Sequence, residues 1–225
     1  MKRIFLVMTA FILLIVPSHT IAKMKEYELV ATSVKDQISL YAKKMNDLYY
    51  DFKIDFNGKI ASRPFWVSIA NNLTYAPQIH YEDISGDGKK ELIIILNKGY
   101  GTGVLLEEAF VIEVNSNQFA DVLVDNPLAV VLKNVKTSLS TTEAKINIGD
   151  SHYTVDLRPV GINPENMFKD IYFGSVIKFE IENNQLIAKL AAQVSPAHAI
   201  GEVTITYEYR DKMYQAKSVE FQYYK

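Results

Sequence analysis

Hydrophobic residues in the second half of the chain fall at alternate positions. Ile177, Phe179 and Ile181 share one side, Asn183-Asn184 interrupts, and Leu186, Ala188 and Leu190 resume the apolar side. Period-two alternation sends successive side chains to opposite faces of a strand, so this stretch predicts a hairpin with facing apolar rows. The same pattern recurs elsewhere. Phe110, Ile112 and Val114 share a face, and the polar run at residues 115–118 turns the chain into "FADVLV". "AKINIGDSHYTVDL" folds back at Gly149-Asp150. In the last hairpin Val203, Ile205, Tyr207 and Tyr209 oppose Thr204, Thr206, Glu208 and Arg210. Asn57-Gly58 is a strong hairpin turn and returns the chain through residues 59–63. Residues 92–96, "LIIIL", are apolar on both faces, which predicts a central strand.

One segment reads differently. Val34, Ile38, Tyr41, Met45 and Leu48 recur at spacings of 4, 3, 4 and 3, which predicts a helix within residues 29–46 followed by a strand over 48–56, while the alternation of "ISLYA" lets the same region be read as strand. The fold class expected is therefore mainly β, with α+β character at the N-terminus: antiparallel sheets built from successive hairpins, and a short N-terminal helix. Asn126-Pro127 is the one credible internal boundary, dividing residues 23–126 from 127–225, which can equally be one continuous domain.

The first 22 residues change the picture of location. Lys2 and Arg3 precede an apolar run over residues 4–16, Pro17 breaks it, and Thr20-Ile21-Ala22 supplies small residues for cleavage. A run of 13 is short for a membrane span, which needs about 20 apolar residues, so a cleaved signal peptide is expected, and a secreted or cell-envelope protein starting at Lys23. Removing Lys2 and Arg3 takes the formal charge from −2 to −4, which leaves no basic excess for nucleic acid or an anionic membrane. Cysteine is absent. That excludes a lipoprotein anchor, a thiol nucleophile and any cysteine-ligated metal, and it fits export from a Gram-positive bacterium.

The chemistry concentrates in "DISGDGKKEL", residues 83–92. Calcium takes six to eight oxygen ligands, which a short loop supplies when oxygen donors alternate and glycine allows the sharp turn. Asp83, Ser85, Asp87, Lys89 (through its backbone carbonyl) and Glu91 occupy loop positions one, three, five, seven and nine, and Gly88 sits at six. Three converging carboxylates repel one another without a cation. The alternative is a plain polar turn before a buried strand. With every ligand position filled by protein, a structural role for the ion is expected over a catalytic one.

This loop resembles the calcium loops of the FG-GAP and VCBS repeat families, whose motif runs Asp-x-Asn/Asp-Gly-Asp-Gly-x-x-Asp/Glu into an apolar strand. The resemblance covers residues 83–96 and implies the same five ligands, with Gly86 and Gly88 as turn residues. Ser85 departs from the family's amide or carboxylate, and a single loop implies one calcium-clipped hairpin rather than a propeller. The EF-hand fits less well, since Ile94 stands where its glutamate would be. Through "SRPFW", "YAPQI", the loop and "NKGYGTGV", the exported chain also resembles a group of uncharacterised secreted proteins of Gram-positive spore-formers. That implies export and calcium, and no activity.

Other constellations are weaker. "KGYGTGV" lacks the Walker lysine and following helix, and reads as a strand connection. His80, His152 and His198 have no ligand spacing, and no Gly-x-Ser-x-Gly elbow occurs. Glu82, Glu107, Glu108 and Glu113 form an acid–base pair only if the fold assembles one. Trp66 reads as core near a strand edge, and the terminal-hairpin tyrosines as sheet packing first and contact surface second. The functional expectation is a calcium-binding module at the cell envelope or spore surface, engaging a protein or cell-wall ligand. The alternatives are an extracellular hydrolase and a secreted inhibitor or partner of an exported enzyme.

Overall fold

The structure, a computed structural model, describes residues 26–115 and 118–224, so the expected signal segment lies outside the described residues. The fold is mainly β, and its sheets are predominantly antiparallel. Strands β1 (Glu28–Ser33), β2 (Ile38–Met45), β3 (Leu48–Phe56) and β4 (Lys59–Ile69) form a four-stranded antiparallel meander. Residues 29–46 are thus two strands, and the helix expected there is corrected. Three members of the supposed helical stripe are exposed: Val34 (82%), Met45 (57%) and Leu48 (42%). The row that is buried is Ile38, Leu40 and Ala42, with the period of a strand. Burial of one sheet face, aided by the β-branched Val30, Thr32 and Ile38, outweighed a local 3.6-residue periodicity.

A larger sheet holds β5 (Gln78–Glu82), β6 (Glu91–Gly101), β7 (Val104–Asn115), β8 (Gln118–Val124), β12 (Val176–Glu182), β13 (Gln185–Ser195), β14 (His198–Arg210) and β15 (Met213–Tyr223). Its order is β12-β13-β14-β15-β8-β7-β6-β5, and β12 also pairs with β7. Six strands therefore close on themselves as a ring, β7-β8-β15-β14-β13-β12, while β6 and β5 continue from the other edge of β7. The two joins that close the ring, β15–β8 and β12–β7, are short and parallel. The sheet crosses the Asn126-Pro127 position, since β7 and β8 pair with strands from the C-terminal half. Asn126 caps α1 (Pro127–Asn134), its side chain accepting from Ala129 N–H, and proline stands at the start of the helix.

The hairpins follow the turn chemistry. Asn57, Gly58, Asn183, Asn184, Asp211 and Lys212 all have φ between 50° and 81°, which matches right-handed strand twist across two-residue turns. Ile177, Phe179 and Ile181 pair with Leu190, Ala188 and Leu186 as the alternation requires.

Two cores result, and β6 belongs to both. Leu92, Ile94 and Leu96 face the meander with Ile38, Leu40, Phe52, Ile54, Trp66 and Ile112. Ile93 and Ile95 face the ring interior with Val111, Phe179, Leu190, Val203, Ile205 and Tyr207. The remaining strands, β9 (Val135–Leu139), β10 (Glu143–Ile148) and β11 (Ser151–Asp156), form a three-stranded sheet whose Ala144 and Ile146 join the ring core. Trp66 stacks on Phe110 at 4.2 Å from the edge strand β4.

Candidate metal site

The loop between β5 and β6 carries the site. Gly86 and Gly88 hold φ of 79° and 85°, a left-handed conformation that glycine adopts without cost. These turns point backbone N–H groups inward. The Asp83 carboxylate accepts from Gly86 N–H at 2.7 Å and Gly88 N–H at 2.9 Å, and Asp87 accepts from Lys89 N–H at 2.8 Å. Glu91 opens β6 and is 5% exposed. Its Oε2 accepts from Ile84 N–H (2.9 Å) and Ser85 N–H (3.3 Å), while its Oε1 accepts from the Ser85 hydroxyl at 2.9 Å.

Carboxylate oxygens of Asp83, Asp87 and Glu91 all lie within 4.8 Å of one another. Ser85 Oγ sits between them, 3.4 Å from Asp83 Oδ1. The side chains of Asp83, Ser85, Asp87 and Glu91 thus stand close together, and Ser85 bonds two of them. Lys89 contributes its N–H to Asp87, and its ammonium lies out in solvent, 3.8 Å from the same carboxylate. All the donors are hard oxygens, and among the described residues no histidine joins the triad, a set suited to a hard cation.

Register adds charge that the loop's sequence does not show. Glu91 is paired across β5 with Glu82 and across β7 with Glu113, so three glutamates stand in one row over adjacent strands. Like charges directly opposite are destabilising, and a cation beside Glu91 would offset them. Two tyrosines from the terminal hairpin complete the surroundings. Tyr209 donates to Glu113 Oε1 at 3.1 Å, and its ring lies 5.4 Å from that of Tyr214, its cross-strand partner. The Tyr214 hydroxyl is buried. Burial first, then the negative charge of Glu91, pushes its pKa up. Glu113, Tyr209 and Tyr214 are remote in sequence from residues 83–91, and no local motif signals their approach.

The other candidates disperse. His80, on β5, keeps Nε2 buried without a partner, and burial pushes its pKa down. His152 bonds Asn147 at 2.7 Å on the β10–β11 hairpin. His198 Nδ1 lies 2.9 Å from Ser195 Oγ, but the two residues bracket a two-residue hairpin turn and Ser195 is only 2% exposed. This contact closes a turn and does not present a nucleophile. The glycine-rich stretch is the β6–β7 turn, where a side chain on Gly103 would meet the Pro196 carbonyl at 2.5 Å. Glu107 accepts from Phe179 N–H at 2.8 Å, and Glu108 pairs with Lys98 at 2.8 Å. Of the terminal-hairpin tyrosines, Tyr207 and Tyr214 are core, while Tyr209, Tyr223 and Tyr224 are exposed. No helix among the described residues is long and apolar enough to cross a membrane. The chain matches no known family model, no curated protein and no solved structure.

Proposed function

We propose that the protein is an exported calcium-binding β module that engages a protein or cell-wall ligand at the cell envelope or spore surface, with the ion as a structural clip. The observation that carries the calcium reading is the approach of Asp83, Asp87 and Glu91 to within 4.8 Å, with Ser85 among them. Side chains of Asp83, Ser85, Asp87 and Glu91, with the Lys89 carbonyl, supply the ligands. The ion joins the end of β5 to the start of β6, the strand shared by both cores. Exposed Tyr209, Tyr223 and Tyr224 support a contact surface. Export rests on residues 1–22. N-terminal sequencing of secreted protein should begin near Lys23, and recovery only of membrane-bound chain starting at Met1 overturns it.

The test of the calcium reading is thermal unfolding in calcium and in excess chelator, with calorimetric titration. Calcium should raise Tm and magnesium should raise it less, because magnesium demands a tighter, near-octahedral shell. Asp87→Ala should abolish the response, and Lys89→Ala should keep it. Equal melting temperatures with no heat of binding would identify the loop as a turn closed by its own amides.

A further inference from the structure

A cavity of about 220 Å³ opens beside the loop, and Ser85, Asp87, Glu91, Glu113 and Tyr209 all line it. Two of these come from outside the loop: Glu113 from β7, directly across from Glu91, and Tyr209 from β14. The Tyr209 hydroxyl donates to Glu113 Oε1 at 3.1 Å, which anchors one oxygen of that carboxylate and leaves the other for the cavity. The two lysines at the rim are engaged elsewhere. Lys89 lies 3.8 Å from Asp87, and the Lys90 ammonium sits 5.4 Å from the centre of the Tyr81 ring.

The coordination demand of calcium gives this cavity a role. Asp83, Ser85, Asp87, Glu91 and the Lys89 carbonyl offer five oxygens when each gives one. Glu91 gives one, because its Oε2 is turned to the Ile84 and Ser85 N–H groups. Both oxygens of Asp83 and one of Asp87 likewise accept backbone N–H groups, which favours a single metal contact from each. Calcium takes six to eight oxygens, so water completes the shell. The cavity touches three of the loop's ligands, and at about 30 Å³ per water it has room for several. A coordinated water donates hydrogen bonds, and an ionised acceptor takes them most strongly.

We infer that Glu113, anchored by Tyr209, is a positioning residue of the ion: its second oxygen accepts a hydrogen bond from a water coordinated to the cation on the cavity side. This rests on the calcium reading above. Groups that hydrogen-bond the ligands of a metal orient them, and their loss weakens metal binding about 10–100-fold. The arrangement gives a reason for a glutamate opposite Glu91, where a like charge is otherwise destabilising. Glu82 supplies the control. It stands opposite Glu91 on the other side, with the same charge, and does not line the cavity.

The test is calcium titration of the full mature chain and of its Glu113→Gln, Glu82→Gln and Tyr209→Phe variants, with melting temperatures in chelator. Glu113→Gln should raise the calcium dissociation constant about tenfold more than Glu82→Gln does. Equal losses would mean that charge alone acts at both positions, and would overturn the inference. In chelator Glu113→Gln should melt at the wild-type temperature or above, because a charge facing Glu91 is gone. Unchanged affinity with a lower melting temperature marks a packing role and overturns it too. Tyr209→Phe keeps the charge of Glu113 and releases its anchor, so it should also weaken calcium binding, and unchanged affinity counts against the inference. A further measurement needs no variant. Europium(III) in place of calcium reports coordinated water through its luminescence lifetimes in H2O and D2O. At least one water should be found, and none overturns the inference. If the wild type binds neither ion, the metal reading fails and this falls with it. If it binds calcium and the variants match it, only the role of Glu113 and Tyr209 fails.

Discussion

Glu91 and Glu107 are acidic residues on neighbouring strands whose surroundings treat them differently. Glu91 is wrapped by two backbone N–H groups and a hydroxyl. Glu107 has one, Phe179 N–H, and sits half-buried where β8 and β12 part along the edge of β7. Burial raises its pKa, with the Phe179 N–H opposing. Its folded-state pKa thus lies above the unfolded one. The folded state is penalised wherever the carboxylate is ionised, and the penalty disappears as pH falls through the raised value towards the ordinary one near about 4.3. Glu107→Gln keeps an acceptor for Phe179 N–H without the charge. It should raise Tm at pH 7, and the gain should vanish at pH 4 and below. A Tm lowered at pH 7 would show that the charged form is the one the fold favours. Sequence placed Glu107 among several acidic candidates. Its isolation depends on where two strands diverge, which no local pattern records.

At the scale of elements, the terminal hairpin tests the inward and outward rows. Val203, Ile205 and Tyr207 are buried while Thr204, Thr206 and Glu208 are half-exposed, in the alternation the sequence predicts. Tyr207 also donates to the Asp125 carbonyl at 3.0 Å, tying the hairpin to the chain before α1. Tyr207→Ala or Phe221→Ala should cost about 3–5 kcal/mol, as aromatic truncations in cores do. Thr206→Ala should change stability by less than about 0.5 kcal/mol. Denaturant titration checks both, and reversed sensitivities would invert the two faces. Where a turn signal bounded a clean alternation, as at Asn57-Gly58 and Asn183-Asn184, element type and register were legible. In residues 29–46 two periodicities overlapped, and only the neighbouring sheet chose between them.

At the scale of the whole molecule, the loop over residues 83–91 leads into a strand shared by two cores. β6 lends Leu92, Ile94 and Leu96 to one and Ile93 and Ile95 to the other, and Glu91 is its first residue. Opening the loop therefore frays a strand on which both depend. Extracellular calcium modules bind at about 10⁻⁴–10⁻³ M. At calcium ten times the dissociation constant, linkage adds roughly 1.4 kcal/mol of stability. For a chain of this size that is a rise of about 2–4 °C in Tm per kcal/mol, the magnitude expected in the chelator experiment. Asp87→Ala removes a proposed ligand without touching either core, so its melting temperature in chelator should stay near that of the wild type.

The sequence by itself determined the β class, most hairpin turns and their apolar rows, and the gathering of oxygen donors at residues 83–91. These are local matters: strand period, turn conformation and loop spacing act over a few residues, and each leaves its own pattern. Tertiary structure alone decided that residues 29–46 are strands, that six strands close into a ring through two short parallel joins, and that Glu113, Tyr209 and Tyr214 gather around Glu91. Each depends on contacts between segments far apart in the chain. The free energy of such contacts comes from burial against a partner surface, and no stretch of sequence carries that partner within it.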